Sequence, residues 1–148
     1  GKAGGGKGVA LVECANAFKR ALLLLPQDAV LMSSYAGFLT EHRGDSSKGE
    51  TLYRLALQTD AGDVGALVGL AEMLEVQGEQ GKAETLFRRA LQLDDDCVGA
   101  LVGISRVVWR ARREEDEAEE LLLRALRLEG LNEGACALYA EVLGEGRT

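Results

Sequence analysis

Proline occurs once, at Pro26, and histidine once, at His42, in a chain of 148 residues. So little proline leaves long helices unbroken, and a solitary histidine excludes a histidine pair for zinc. No apolar run approaches the ~20 residues of a membrane span; the stretch Ala21 to Leu25 stops at Pro26. Basic residues are outnumbered, 17 against 24 acidic, for a net charge of −7. That balance argues against a nucleic-acid backbone as the main partner, which needs clustered cations. Cysteine is limited to Cys14, Cys97 and Cys136, an odd number without a CxxC. The pattern predicts no disulfide framework, an intracellular reducing compartment, and three small buried or half-buried thiols. The first residue is Gly1 rather than Met, so the chain is expected to be a fragment or processed form that need not carry its own targeting signal.

What the chain does have is repetition. GETLYRLALQ at Gly49 returns as AETLFRRALQ at Ala83 and AEELLLRALR at Ala118, and VGALVG occurs at Val64 and Val98. Spacings of 34 and 35 residues mark a stack of similar supersecondary units. Apolar periodicity predicts helices over 9–25, 29–42, 46–59, 64–77, 80–93, 98–111, 115–128 and 133–144. Asp28, Asp63, Asp96 and Asn132 precede four of them as candidate N-caps. Glu50–Arg54, Glu84–Arg88 and Glu120–Arg124 place an acid four residues before a base, worth ~0.2–0.5 kcal/mol each. GKAGGGKG at the start reads as a flexible basic linker. It lacks the GxxxxGK[ST] of a phosphate loop, and no strand precedes it.

These residues resemble the tetratricopeptide repeat (TPR), a helix–turn–helix family with the pattern W-x2-L-G-x2-Y, then A-x3-F, A and P. The middle unit carries Leu67, Leu70, Ala71 and Leu74, then Ala83, Phe87 and Ala90. The unit before has Met32, Tyr35, Ala36 and Leu39, then Gly49, Tyr53 and Ala56; the unit after has Leu101, Ile104, Ser105 and Val108, then Ala118, Leu122 and Ala125. A last first-helix shows Cys136, Tyr139, Ala140 and Leu143, and an orphan second helix shows Cys14, Phe18, Ala21 and Pro26. The family's leading aromatic is replaced by Met32, Leu67, Leu101 and Cys136, and its closing proline by Ala61, Asp95 and Gly130.

The resemblance implies an all-α fold, an α–α superhelix (right-handed solenoid) of about 3.5 repeats. It divides the chain into a linker at 1–8 and an array at 9–148: an orphan helix at 9–27, repeats at 28–62, 63–96 and 97–131, and a terminal half-repeat or cap at 132–148. It also implies a non-catalytic protein-interaction scaffold that binds a partner segment or helix in a concave groove lined by the first helices. Projected at 100° per residue, that face comprises Ser33, Ser34, Gly37, Glu41, Gly65, Val68, Gly69, Glu72, Gly99, Val102, Gly103, Arg106, Trp109, Ala137 and Glu141, with Val76 and Arg110 alongside. Mid-helix Gly69 and Gly103 each cost ~1 kcal/mol against alanine. Their presence is read either as a smooth groove floor or as room for tight packing between helices. Relatives that clamp a chaperone's carboxylate tail use Lys and Asn on this face, which here holds Ser33, Gly37, Val68, Glu72, Val102 and Arg106. Glu41, Glu72, Glu75 and Glu141 instead suggest a ligand of basic or amide character, gripped partly by apolar contact.

Other features carry less. Arg106, Trp109, Arg110, Arg112 and Arg113 form a basic patch beside an aromatic, read mainly as cations at a helix C-terminus, with Trp109 as the exposed candidate. Asp94–Asp96 lacks the spacing of a calcium loop. No catalytic constellation, metal site or cofactor is read. The alternative functions are a half-a-TPR-like helical-repeat protein of RNA processing, suggested by MSSYAGF, and an assembly subunit that self-associates through helix 9–25.

Overall fold

The computed structural model describes residues 2–146. Among them lie eight α-helices and no strand: α1 (Lys2–Leu24), α2 (Ala29–His42), α3 (Ser46–Thr59), α4 (Val64–Val76), α5 (Gln80–Leu93), α6 (Val98–Val107), α7 (Glu115–Leu128) and α8 (Glu133–Gly146). A π-helical turn, Val108–Arg112, continues α6 directly.

Four of the helix starts follow from local chemistry. The Asp28 carboxylate accepts from the Leu31 N–H at 2.9 Å, Asp45 from Lys48 at 3.1 Å, Asp63 from Ala66 at 3.1 Å and Asn132 from Ala135 at 2.9 Å. Each satisfies an amide that the first helical turn leaves open. Helix α6 departs from expectation. Its N-cap is Cys97, which makes no side-chain cap bond, while the Asp96 N–H donates to the Asp94 carboxylate within the turn.

The start of the chain also departs. A flexible linker was expected over 1–8, yet α1 begins at Lys2. Extending an already nucleated helix fixes one residue per hydrogen bond, so it is far less costly than starting one. Residue 1 of that stretch lies outside the described residues.

The inserted residue of the third repeat is taken up by the π turn, a common way for a helix to absorb one extra residue. The helix then reverses in two residues rather than three. Gly44 (φ +65°) and Gly78 (φ +86°) turn the chain after α2 and α4, whereas Arg113 (φ +56°) does so after the π turn.

The chain divides into two compact units, Gly1–Leu70 and Ala71–Thr148, with α4 running through the division. The core of the first gathers Ala15, Tyr35, Phe38 and Leu39, with Leu11, Phe18, Leu22 and Leu52 packed against it. The Phe18 ring lies 5.3 Å from Tyr35 and 5.6 Å from Phe38, centroid to centroid. In the second unit Phe87, Leu101, Ile104, Val108, Leu122 and Val142 are fully buried. Each large apolar side chain so placed stabilises by ~1.5–3 kcal/mol.

Candidate functional site

The residues singled out on the first helices do not share one environment. In the first unit Ser34, Glu41 and Gly65 are exposed, and Gly37 and Val68 are half-buried. Ser33 is buried, and its hydroxyl donates to the Asp63 carboxylate at 3.2 Å. In the second unit Glu72, Gly99 and Ala137 are exposed and Arg106 and Glu141 half-buried, while Val102, Gly103 and Trp109 are buried.

The two mid-helix glycines are not an open floor. A β-carbon on Gly69 would overlap the Tyr53 ring, and one on Gly103 would lie 2.5 Å from Cε1 of Phe87. Both aromatic residues belong to the second-helix motif, Tyr53 on α3 and Phe87 on α5. Each ring therefore seats directly on helix backbone. One step on, the positions in the same register hold Leu122 and Leu138, both buried. The pair in this register is thus an aromatic and a glycine at two steps and two leucines at the third. The packing alternative of the sequence reading accounts for these glycines.

Trp109 is likewise not exposed; it is 4% accessible. The flank of α6 that bears Val102 also carries Trp109, and α8 packs against α6. The indole Nε1 is buried without a completed hydrogen bond. Arg113, from its left-handed position, stacks over the Trp109 ring at 5.0 Å.

The arginines tie helices together rather than forming a free patch. Arg106 pairs with Glu75 of α4 at 2.6 Å, and Arg110 with Glu141 of α8 at 3.2 Å. Arg112 pairs with Glu84 of α5 and with Glu114, each at 2.9 Å. Arg88 bridges Glu84 and Glu117. Two of the glutamates read as ligand-seeking, Glu75 and Glu141, thus already face arginines. The hydrogen bond from Arg110 holds the Glu141 carboxyl below the usual range against an opposing desolvation, and the nearby Trp109 N–H adds to the lowering. Arg112, ahead of Arg88, lowers Glu84, and Arg88 lowers Glu117.

Between these pairs the second unit opens a cleft of about 590 Å³ lined by Glu72, Glu75, Val76, Gln80, Arg106, Arg110 and Ala111. Val76 is 89% exposed at this cleft. Gln80 and Ala111 escaped the sequence reading because they lie in the first turn of α5 and in the π turn, outside the straight-helix projection. Gln80 is held by donating its side-chain amide to the Glu75 carbonyl at 3.3 Å.

The cysteines are more open than expected, with Cys14 and Cys136 exposed and Cys97 intermediate. Burial is the main cause that pushes the Cys97 thiol up. Among the described residues no three His, Cys, Asp or Glu side chains gather as metal ligands, and no helix is long and apolar enough to cross a membrane.

No family model and no curated protein matches the sequence. Solved structures do match the fold. The first TPR of Spaghetti (RPAP3) bound to an HSP90 peptide superposes with a TM-score of 0.70 at 16% identity, covering 82% of this chain and 95% of that one. YrrB, described as a TPR protein with an unusual peptide-binding site, gives 0.73 at 20% identity, covering 89% and 67%. The TPR domain of Arabidopsis OM64 gives 0.68 at 17% identity, covering 80% and 96%. The fold is that of tetratricopeptide-repeat domains.

Proposed function

We propose that the chain is a non-catalytic interaction module that receives a segment of a partner protein at the first-helix cleft of its second unit. The observation that carries this reading is the cleft itself, where an apolar side chain, Val76, stands almost fully exposed between ion-paired walls. An isolated exposed valine would mean little. Here it lies beside Ala111 with polar groups around it, the arrangement of a small apolar anchor site with an orienting rim. Two of the fold's neighbours are described as peptide-bound or peptide-binding, which supports the same class of ligand.

The chemistry of the cleft narrows that class. Arg106 and Arg110 are engaged by Glu75 and Glu141, so an acidic tail finds no free pair of donors. A short peptide with one neutral apolar anchor and polar flanks fits better. The test begins with peptides selected from a random display library on the full chain. The Val76→Asp variant should bind them at least about tenfold more weakly, equivalent to ~1.4 kcal/mol, with an unchanged melting curve. Equal binding to both proteins would place the site elsewhere.

A further inference from the structure

Three side chains of one short segment act on a single carboxylate, that of Glu141 on α8. Trp109 and Arg110 stand in the π turn, and Arg113 follows it in the left-handed conformation that reverses the chain. Arg110 donates to Glu141 at 3.2 Å. The Arg113 guanidinium lies back over the Trp109 ring, and its charge also favours the ionised form of Glu141. The indole Nε1 is buried with no completed hydrogen bond, yet it is near enough to Glu141 to favour that same ionised form. A covered N–H is costly to leave without an acceptor. The turn therefore directs two N–H donors and a further positive charge at one place, a demand that a carboxylate meets.

The two ion pairs at the cleft differ in how firmly they are held. Arg106 and Glu75 meet at 2.6 Å, and the Glu75 side chain is only 12% exposed. Arg110 and Glu141 meet at 3.2 Å, with Glu141 34% exposed and Arg110 more open still. Exposed pairs of that kind are screened by water and salt and are weakly held. Nor does the repeat pattern call for glutamate at this position, since the residues in register with Glu141 are Gly37, Glu72 and Arg106. Of the two acids paired to cleft arginines, Glu141 is thus the one that can be released.

We infer that Glu141 sets the specificity of the cleft: its carboxylate fills an acceptor site formed by Trp109, Arg110 and Arg113, and so keeps acidic partner segments out. The inference rests on the reading of the cleft as a peptide site. Arg110 belongs both to that site and to the cleft wall, which is how an occupant on α8 governs what the cleft accepts. A segment carrying Asp or Glu meets Glu141 as a like charge and must displace it to reach Arg110. A neutral segment leaves the pair in place. Exclusion of this kind is specificity by repulsion rather than by added attraction.

Glu141→Ala empties the acceptor site, and Glu141→Gln keeps its shape without the charge. Both change a partly exposed side chain, and circular dichroism checks that the helices remain. The first readout needs no peptide. Sodium acetate is titrated onto the full chain at constant ionic strength, and the indole N–H signal of Trp109, the single tryptophan, is followed by NMR. In Glu141→Ala that signal should move saturably, and in the unaltered chain it should stay still over the same range. Movement in both proteins, or in neither, would overturn the inference. The second readout uses a display-selected peptide and copies of it with one glutamate placed beside the apolar anchor. The parent should bind all three proteins within about threefold of one another. The best glutamate-bearing copy should bind Glu141→Ala at least about tenfold more tightly than the unaltered chain, with Glu141→Gln between them. No gain for any such copy would overturn the inference while leaving the cleft reading intact. A parent peptide indifferent to Val76→Asp would instead remove the cleft reading, and the specificity with it, whatever acetate does.

Discussion

Replacing Gly103 by alanine separates two accounts of this fold by the sign of the effect. In an open helix face the substitution should stabilise by up to ~1 kcal/mol, the difference in helix propensity. In this structure the new methyl group would lie 2.5 Å from both Cε1 and Cζ of Phe87, where an ordinary carbon–carbon contact is ~3.5–4.0 Å. The ring must therefore recede by roughly 1 Å, yet Phe87 and its helix neighbours Ala83 and Ala90 are all fully buried. Overpacking of this kind costs ~1–3 kcal/mol. Against the propensity gain, the expected net effect is a loss of up to about 2 kcal/mol. Urea titration followed by the fluorescence of Trp109 should show a lower midpoint with an unchanged slope. Phe87→Leu should relieve the clash, so the double variant should be more stable than the two single losses predict, with a coupling of ~1 kcal/mol or more. Gly8→Ala supplies the control, because nothing lies within 4 Å of a β-carbon there, and it should stabilise slightly. A gain in stability from Gly103→Ala would refute the packing argument.

Asp63→Ala should lower stability by ~1–2 kcal/mol, because it removes both the cap on α4 and the acceptor for the buried Ser33 hydroxyl. Asp63→Asn should recover most of that loss in a thermal melt. The depressed carboxyls of Glu84 and Glu117 predict a pH effect of definite sign. Their contribution is fully present above the ordinary carboxylate range and is lost as pH falls through the lower folded values. Glu84→Gln should therefore flatten the fall in stability below that range while costing at most ~1 kcal/mol near neutrality. An unchanged pH slope would mean that the Arg112 and Arg88 pairs are not held in solution.

The periodic features of the sequence translated well into helices. The repeated decapeptide placed α3, α5 and α7, and Asp28, Asp63 and Asn132 cap the helices they precede. These signals are local, and local hydrogen bonding decides them. The misreadings share a different cause. That Gly103 lies under Phe87, that Trp109 is covered, and that Arg106 meets Glu75 all depend on which neighbouring helix covers a given flank. A single helical projection separates inside from outside, but it assigns only one inside. Here α6 has covered flanks on more than one side, against α5, α7 and α8. The extra residue in the third repeat was visible as a 35-residue spacing, but its absorption into a π turn was not, and so Ala111 went unnoticed at the cleft. The glycine-rich start was misjudged because composition does not show the helix it continues.

The central functional claim is that a partner segment sits at the cleft of the second unit. Amide chemical-shift mapping of the isotopically labelled chain, titrated with a display-selected peptide, tests it most directly. The account predicts saturable shifts concentrated at Glu72, Glu75, Val76, Gln80, Arg106, Arg110 and Ala111, the residues that line the cleft. Shifts confined to α1, or to the outer faces of α3, α5 and α7, with those amides unmoved, would contradict it.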